Sequence, residues 1–168
     1  MSGTGVGAVP VAQSDLDVVA EQLGRAPRAI RAVAARCPSG HPAVIQTNPR
    51  LEDGTPFPTL YYSTCPRLNS AVSTLETTGL MKEMTERLAT DEDLAAAYLR
   101  AHESYLAERD ALGSLGTQVT AGGMPGRVKC LHVHVAHALA KGPGVNPFGD
   151  EALELIRDQW PTGACAAG

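Results

Sequence analysis

One short stretch, RVKCLHVHVAHAL at residues 127–139, concentrates the side chains of this chain that are best suited to chemistry. It carries Cys130, His132, His134 and His137, which are one of the four cysteines and three of the five histidines. Thiolate sulfur and imidazole nitrogen are ligands that Zn²⁺ prefers, and the same pair of groups can form an activated cysteine nucleophile. The stretch therefore predicts a metal site, a catalytic centre or a buried helix that carries imidazoles.

The faces of this stretch depend on its secondary structure. As a strand, it would place Cys130, His132 and His134 on one side. As a helix, with about 100° of rotation per residue, it would group Cys130 with His134 and His137 and turn His132 away. The segment continues through AHALAKG, in which good helix formers lead to a glycine stop at Gly142. We therefore expect a helix.

Three short segments earlier in the chain have the composition of strands. They are AIRAVAAR at 29–36, AVIQT at 43–47 and TLYYST at 59–64, and the last two are the clearer, with β-branched or aromatic residues. In an up-down-up meander, the first and third strands end at the same end of the sheet. We expect this arrangement to bring Cys37 and Cys65, which follow those two strands, close together.

Joining these cysteines to the predicted helix gives the favoured hypothesis, a zinc site. Structural Zn²⁺ takes four tetrahedral nitrogen and sulfur ligands. The hypothesis assigns them to Cys37, Cys65, Cys130 and His137, with His132 as the second choice of histidine. An iron–sulfur cluster on the four cysteines is a less favoured variant. The chain has no C-x-x-C spacing, so the pattern alone does not identify a metal.

Two other interpretations of the same residues stay open. In the first, Cys130 is a thiolate nucleophile activated by His134 or His137, in a small hydrolytic or phosphate-handling enzyme. In the second, the cysteines and imidazoles belong to the core, since free cysteine is among the most buried residue types. His102 is a spare candidate base, although its helical context favours a place on the surface.

A weaker signal concerns anions. Arg50, Arg127 and Lys129 flank two loops rich in glycine and proline. Together with GGMPGR at 122–127, placed at the start of the predicted helix, they would form an anion site, because backbone N–H groups and basic side chains attract phosphate. The spacing matches no Walker or Rossmann motif.

The length, charge and hydrophobicity of the chain argue against several classes of protein. The chain has 168 residues, 43% of them hydrophobic, and a net charge of −4. That length suits one domain with its own core, and an acidic balance argues against general nucleic-acid binding. No apolar run approaches the roughly 20 residues that span a bilayer, and the N-terminus lacks the basic region of a signal peptide. We therefore expect a cytoplasmic protein, not bound to membranes, whose cysteines are thiols.

The elements that must position these residues follow a simple order, strands first and helices after. A helix is expected over SDLDVVAEQLG, with Ser14 as its cap and Gly24 as its stop, and the predicted strands follow. Later helices are expected at 68–79 and 80–89, broken at Gly79; at 91–112, capped by Thr90; at the histidine stretch; and after NPFGDE, capped by Asp150 or Asn146. The layout predicts an α+β fold, a small three-stranded antiparallel sheet followed by and packed against several helices. The expected organisation is a tail at 1–13, a single domain at 14–160 and a second tail at 161–168.

Five segments carry a resemblance to a known family. They are QLGRAPR (22–28), RCPSGHP (36–42), PRLEDGTPFPTLYYSTCP (49–66), LMKEMTERL (80–88) and GGMPGRVKCLHVHVAHALAKGPGVNPFGDE (122–151). On these motifs the chain resembles domain of unknown function 501, a family common in actinobacteria. The resemblance implies a housekeeping role near phosphate metabolism or cell division, including the alternative of a non-catalytic module that binds a protein partner linked to division or polyphosphate.

The family pattern bears directly on the ligands. It reads C-L-H-x-x-x-A-H, and this chain matches it with Cys130, His132 and His137. His134 and His41 lie outside the pattern. The resemblance thus includes His132, which the helical geometry turns away from Cys130, so His137 is kept as the first choice of histidine and His132 as the second.

Overall fold

The structure, a computed structural model, describes residues 11–160, which form one antiparallel sheet and six helices. The elements are α1 (Gln13–Leu23), β1 (Ile30–Arg36), β2 (Pro42–Thr47), β3 (Tyr61–Ser63), α2 (Pro66–Glu76), α3 (Leu80–Arg87), α4 (Glu92–Leu112), α5 (His132–Lys141) and α6 (Pro147–Leu155). The predicted α+β class is confirmed. The tail predicted at 161–168 lies outside the described residues, as do residues 1–10 of the tail predicted at the N-terminus, whose last residue, Gln13, begins α1.

The sheet is the predicted meander, with strand order β1-β2-β3 and antiparallel pairing throughout. The pairing of β2 with β3 sets which side chains share a face. Gln46 lies opposite Tyr61, and Ile45 lies opposite Tyr62. Because side chains alternate along a strand, these two pairs point to opposite faces of the sheet. Tyr61 stacks on His137 of α5, so the Tyr61 face is the one that α5 covers.

Helix α5 is the central element of the described fold. It contacts all three strands and packs against α6. Half of its residues are buried, namely His134, Val135, Ala136, His137 and Ala138. Close packing with α6 depends on Gly149, where a Cβ atom would collide with the carbonyl group of His134. The histidine stretch is therefore helical, as predicted, and it passes through the middle of the protein.

Helix ends follow the sequence signals in part. Gly24 and Gly79 adopt the left-handed conformation at the predicted breaks, and Asn146 caps α6 through the Gly149 N–H. Two predicted caps are wrong. Ser14 lies inside α1, which begins one residue earlier than expected. Asp91 caps α4 in place of the preceding threonine, because its carboxylate accepts the Leu94 N–H at 3.0 Å.

The long loop between α4 and α5 is anchored to the core. Arg109, fully buried on α4, donates to the carbonyl groups of Val119 and Thr117 at 2.6 and 2.9 Å. Further along, the Tyr98 hydroxyl donates to the Arg127 carbonyl at 2.7 Å. These bonds fix the direction from which the chain enters α5 and so position Cys130. Among the helices of residues 11–160, none is long and apolar enough to cross a bilayer.

Replacing Gly149 with alanine should destabilise the protein by about 1–3 kcal/mol, because the added methyl group forces α6 away from α5. Urea unfolding followed by circular dichroism measures the change. Gly126→Ala is the matched control, since a Cβ there meets nothing within 4 Å. Equal stability of the two variants would contradict the assigned packing of α5 against α6.

Candidate metal centre

Three potential metal ligands meet where the end of α2 approaches the start of α5. They are Glu76, the last residue of α2, and Cys130 and His132 at the N-terminal end of α5. His132 Nδ1 lies 3.1 Å from Glu76 Oε2 and 3.9 Å from Cys130 Sγ. All three ligand atoms lie within 4.8 Å of one another. Among the described residues, this is the one group of three or more such side chains close enough to share an ion.

A backbone hydrogen bond holds Glu76 in this position. The Leu131 N–H donates to Glu76 Oε2 at 2.7 Å. Leu131 is the N-cap of α5, where unsatisfied N–H groups and the helix dipole favour a negative charge. The Glu76 carboxylate therefore interacts with the N-terminal end of α5 and lies beside His132.

The predicted alignment of Cys130 with His134 and His137 on one helical face is wrong. Helix α5 begins at His132, so Cys130 lies before it and the helical rotation does not apply to the cysteine. Cys130 instead turns towards the Nδ1 edge of His132. The family pattern, which joins Cys130 to His132, agrees with this structure better than the helical wheel does.

The other edge of the His132 ring is also engaged. Its Nε2 lies 3.4 Å from the Asn69 carbonyl oxygen and 3.3 Å from Ser73 Oγ. A carbonyl can only accept, so the contact with Asn69 favours a proton on Nε2. In the neutral ring, Nδ1 then carries the lone pair and faces Glu76 and Cys130. That is the tautomer a metal ligand needs when it coordinates through Nδ1.

This arrangement differs from a nucleophile–base–acid relay. In such a relay the nucleophile and the acid contact different nitrogens of the imidazole, so that the ring passes a proton between them. Here Cys130 and Glu76 both face Nδ1 of His132. A thiol and a carboxylate that converge on one nitrogen are the arrangement expected around a shared cation.

The two neighbouring side chains change the acidity of His132. The hydrogen bond with Cys130 raises the pKa of His132 to about 9, the charge of Glu76 adds to the increase, and burial opposes it. Without a metal, a proton therefore occupies the space between Cys130 and Glu76 at neutral pH. Because the pKa is higher in the folded state, this proton stabilises the fold fully below about pH 6.5, and the effect is lost as the pH rises through 9.

The cluster opens into a cavity of about 380 Å³ beside the edge strand β3. Cys130 and His132 line one side, Val133 and Asn69 lie next to them, and Thr59, Tyr61, Tyr62 and Ser63 complete the wall. Cys130 is partly exposed, so its sulfur can be reached from this cavity.

His134 and His137 form a separate, buried cluster with Asn146. The Asn146 Oδ1 accepts the Gly149 N–H at 3.0 Å, which fixes the orientation of the amide. Its Nδ2 therefore donates to Nδ1 of His134 at 3.1 Å and to Nδ1 of His137 at 3.2 Å. Both rings must then carry their proton on Nε2. On His134 this proton is donated to the Gly122 carbonyl at 3.2 Å.

Burial keeps both of these rings neutral. It lowers the pKa of His134 and the pKa of His137 to about 4. His137 stacks on Tyr61 and meets Tyr105 edge to face, with ring centroids 6.0 and 5.1 Å apart. Its imidazole thus serves as a core residue, and its Nδ1 is already occupied by Asn146.

The structure does not bring the other predicted zinc ligands into the group. Cys37, which follows β1, is disulfide-bonded. The prediction that it is a thiol is therefore wrong, and its sulfur cannot act as a thiolate ligand. Cys65, at the N-cap of α2, is fully buried within the hydrophobic core. His137 belongs to the cluster around Asn146. Of the five predicted ligands, the structure joins Cys130 and His132.

The basic residues proposed for an anion site do not share a described contact. Arg50 donates to the Gly54 carbonyl within the β2–β3 loop, and Arg127 and Lys129 are exposed. The backbone N–H groups of Arg127 and Lys129 are used inside their own turn, where they donate to Gly123 and Gly122. This turn precedes α5 and does not form its first residues, and the acceptor at the start of α5 is Glu76. Anion binding at these residues stays a prediction.

Comparison with known proteins identifies a family. A family model described as "Protein of unknown function (DUF501)" matches residues 33–154, which is most of the chain. The chain belongs to the DUF501 family. Glu76, Cys130 and His132 all lie within the matched region. Neither a curated protein nor a solved structure matches this DUF501 chain.

Sequence reasoning missed Glu76, which lies far from the histidine stretch along the chain. One signal was present. An acidic side chain in the last turn of a helix is unfavourable, because the helix dipole places negative charge at that end. Glu76 ends α2 in this way, and the N-terminus of α5 compensates it through the Leu131 N–H.

Neighbouring histidines of α5 should differ in charge at pH 7. His132 should be protonated and titrate near pH 9, while His134 and His137 stay neutral down to about pH 4. Titration of metal-free protein followed by ¹⁵N–¹H spectra of the imidazoles measures this, with assignments from single His→Gln variants. Three similar titrations near the ordinary histidine pKa of about 6.5 would contradict the described environments.

Proposed function

We propose that this DUF501 protein binds one divalent transition metal ion, zinc preferred, through Glu76, Cys130 and His132. The observation that carries the proposal is the convergence of a carboxylate and a thiol on the same imidazole nitrogen. A carboxylate oxygen, a thiolate sulfur and an imidazole nitrogen together are a donor set that Zn²⁺ accepts. The proposal keeps two of the ligands predicted from the sequence and adds Glu76.

The distances between the ligand atoms support a shared ion. With bonds of about 2.0 Å to nitrogen or oxygen and 2.3 Å to sulfur, tetrahedral zinc spaces its ligand atoms by about 3.3–3.5 Å. The observed separations from His132 Nδ1 are 3.1 Å to Glu76 Oε2 and 3.9 Å to Cys130 Sγ. Both separations are therefore within a few tenths of an ångström of the spacing expected around zinc.

The groups around the ligands also support it. Ligating histidines generally donate their second ring N–H to a carbonyl or a carboxylate, which fixes the tautomer. His132 has the Asn69 carbonyl in that position, and Glu76 is held by the Leu131 N–H. The two anionic ligands would balance the charge of a divalent ion, so a partly buried site carries no net charge.

Three protein ligands beside a cavity are typical of zinc sites that keep a position for water or a substrate, whereas structural sites use four protein ligands. The metal in such a site lowers the pKa of bound water and polarises a substrate oxygen. This favours a metal-dependent hydrolytic activity over the nucleophile hypothesis built on Cys130 and His137. His137 is held in its own buried cluster and is not among the residues that line the cavity.

Metal-free protein should take up one Co²⁺ or Zn²⁺ per chain, with a thiolate-to-cobalt charge-transfer band. Cys130→Ser should abolish that band, and His132→Gln and Glu76→Gln should each weaken binding by at least about tenfold. Cobalt titration with zinc competition measures both effects. His41→Gln, in the β1–β2 turn, is the matched control and should bind like the wild type. Unchanged binding in the His132 and Glu76 variants would refute the ligand set.

Metal affinity should depend on pH in a defined way. The metal must displace the proton held at His132 Nδ1, and loss of that proton alone should raise the apparent affinity by about tenfold per pH unit until the effect levels off near pH 9. Zinc titration calorimetry in buffers of different ionisation enthalpy, between pH 6.5 and 9.5, measures the proton release. Affinity that is flat over this range would contradict a metal bound at His132.

A further inference from the structure

A second cavity lies on the opposite face of the sheet from α5. Its volume is about 310 Å³, and its walls include Leu23, Ile45, Phe57 and Tyr62. Ile45 and Tyr62 form the cross-strand pair that points away from α5. Arg25 and Arg28, both exposed, also line it. We call this space the arginine pocket.

Chain geometry explains why two arginines meet an apolar wall. Helix α1 contacts β2 and ends at Leu23, and Gly24 adopts a left-handed conformation with φ +71° that turns the chain. The connection from Gly24 to β1 then carries both arginines past the outer face of β2. The apolar floor and the cationic side chains thus come from different elements that the fold brings together.

The chemistry of the pocket selects one class of ligand. Guanidinium groups bind phosphate and carboxylate oxygens through paired hydrogen bonds, and Tyr62 and Phe57 offer aromatic surface for stacking. Pockets that are mostly apolar with a few placed polar groups are typical of small-molecule sites, and a volume near 300 Å³ suits a compact ligand. We infer that the arginine pocket binds a small anion with an aromatic body, whose anionic group lies on Arg25 and Arg28 and whose ring lies against Tyr62.

One acid of the chain interacts electrostatically with Arg28. Asp53, in the loop between β2 and β3, is fully exposed, and its pKa is lowered first by its hydrogen bonds to Thr55 and to a smaller extent by the charge of Arg28. An anion bound to Arg28 would be repelled by the charge of this carboxylate. Removing the negative charge of Asp53 should therefore strengthen binding, an effect that a merely apolar pocket would not show.

The arginine pocket and the metal centre share a wall. Tyr62 lines both cavities, so a ligand in the arginine pocket lies next to the cavity that contains Cys130 and His132. The arginine pocket is nevertheless built without any of the three proposed metal ligands. The two proposals can therefore fail separately.

Phenyl phosphate is the probe, titrated into metal-free full-length protein and followed by amide shifts of Ile45 and Tyr62. Binding should saturate, with inorganic phosphate and phenol each at least about tenfold weaker. Arg25→Gln and Arg28→Gln should each weaken binding about tenfold, and Asp53→Asn should strengthen it a few-fold. Arg100→Gln, an exposed arginine on α4, is the control and should change nothing.

Several outcomes would overturn the inference. They are the absence of saturable shifts, equal affinity for inorganic phosphate, or equal weakening by Arg100→Gln. Binding by Cys130→Ser protein should equal that of the wild type, because the cysteine is not part of the arginine pocket. A loss of phenyl phosphate binding in that variant would place the anion at the metal centre and reject the arginine pocket.

Discussion

The hydrogen bond from the Leu131 N–H to the Glu76 carboxylate is the contact on which the proposed site depends. It satisfies an N–H group at the start of α5, compensates an acid at the unfavourable end of α2 and sets the carboxylate against His132. The same contact ties two helices that are far apart in sequence. Without this anchor, the Glu76 side chain would have to lose rotamer freedom each time it approached His132. That loss of conformational entropy would oppose the geometry that a metal requires.

Helix α5 divides the histidines of one short stretch between two roles. Its first residue, His132, lies at a cavity beside two acidic partners and holds a proton tightly. Its middle carries His134 and His137, which burial keeps neutral and which share the amide of Asn146. Environment, not residue type, decides which imidazole is available to a metal. The buried pair contributes a polar network that fixes how α6 packs on α5, since the Asn146 amide has one permitted orientation and each imidazole one permitted tautomer.

The elements were predictable because their signals are local. The meander follows from β-prone segments separated by turn residues, and Gly24 and Gly79 mark real breaks because their positive φ angles suit glycine. The ligand set was less predictable because it depends on a boundary and on a distant partner. Because α5 begins at His132, two residues after Cys130, the cysteine is not part of the helix. It therefore faces His132 and not His134 and His137. Glu76 ends α2, and the sequence of α2 does not indicate that this helix end lies beside Cys130.

The measurement that tests the metal centre most directly is a crystal structure of zinc-loaded protein with anomalous diffraction at the zinc absorption edge. The proposal predicts one anomalous peak, bonded to Cys130 Sγ, His132 Nδ1 and a Glu76 carboxylate oxygen, with the remaining position directed into the cavity beside β3. A peak bonded to other residues, or no peak at this cluster in protein that has taken up zinc, would contradict it. In that case Glu76, Cys130 and His132 would form a hydrogen-bonded helix junction, and the function of this DUF501 chain would have to be sought at another surface.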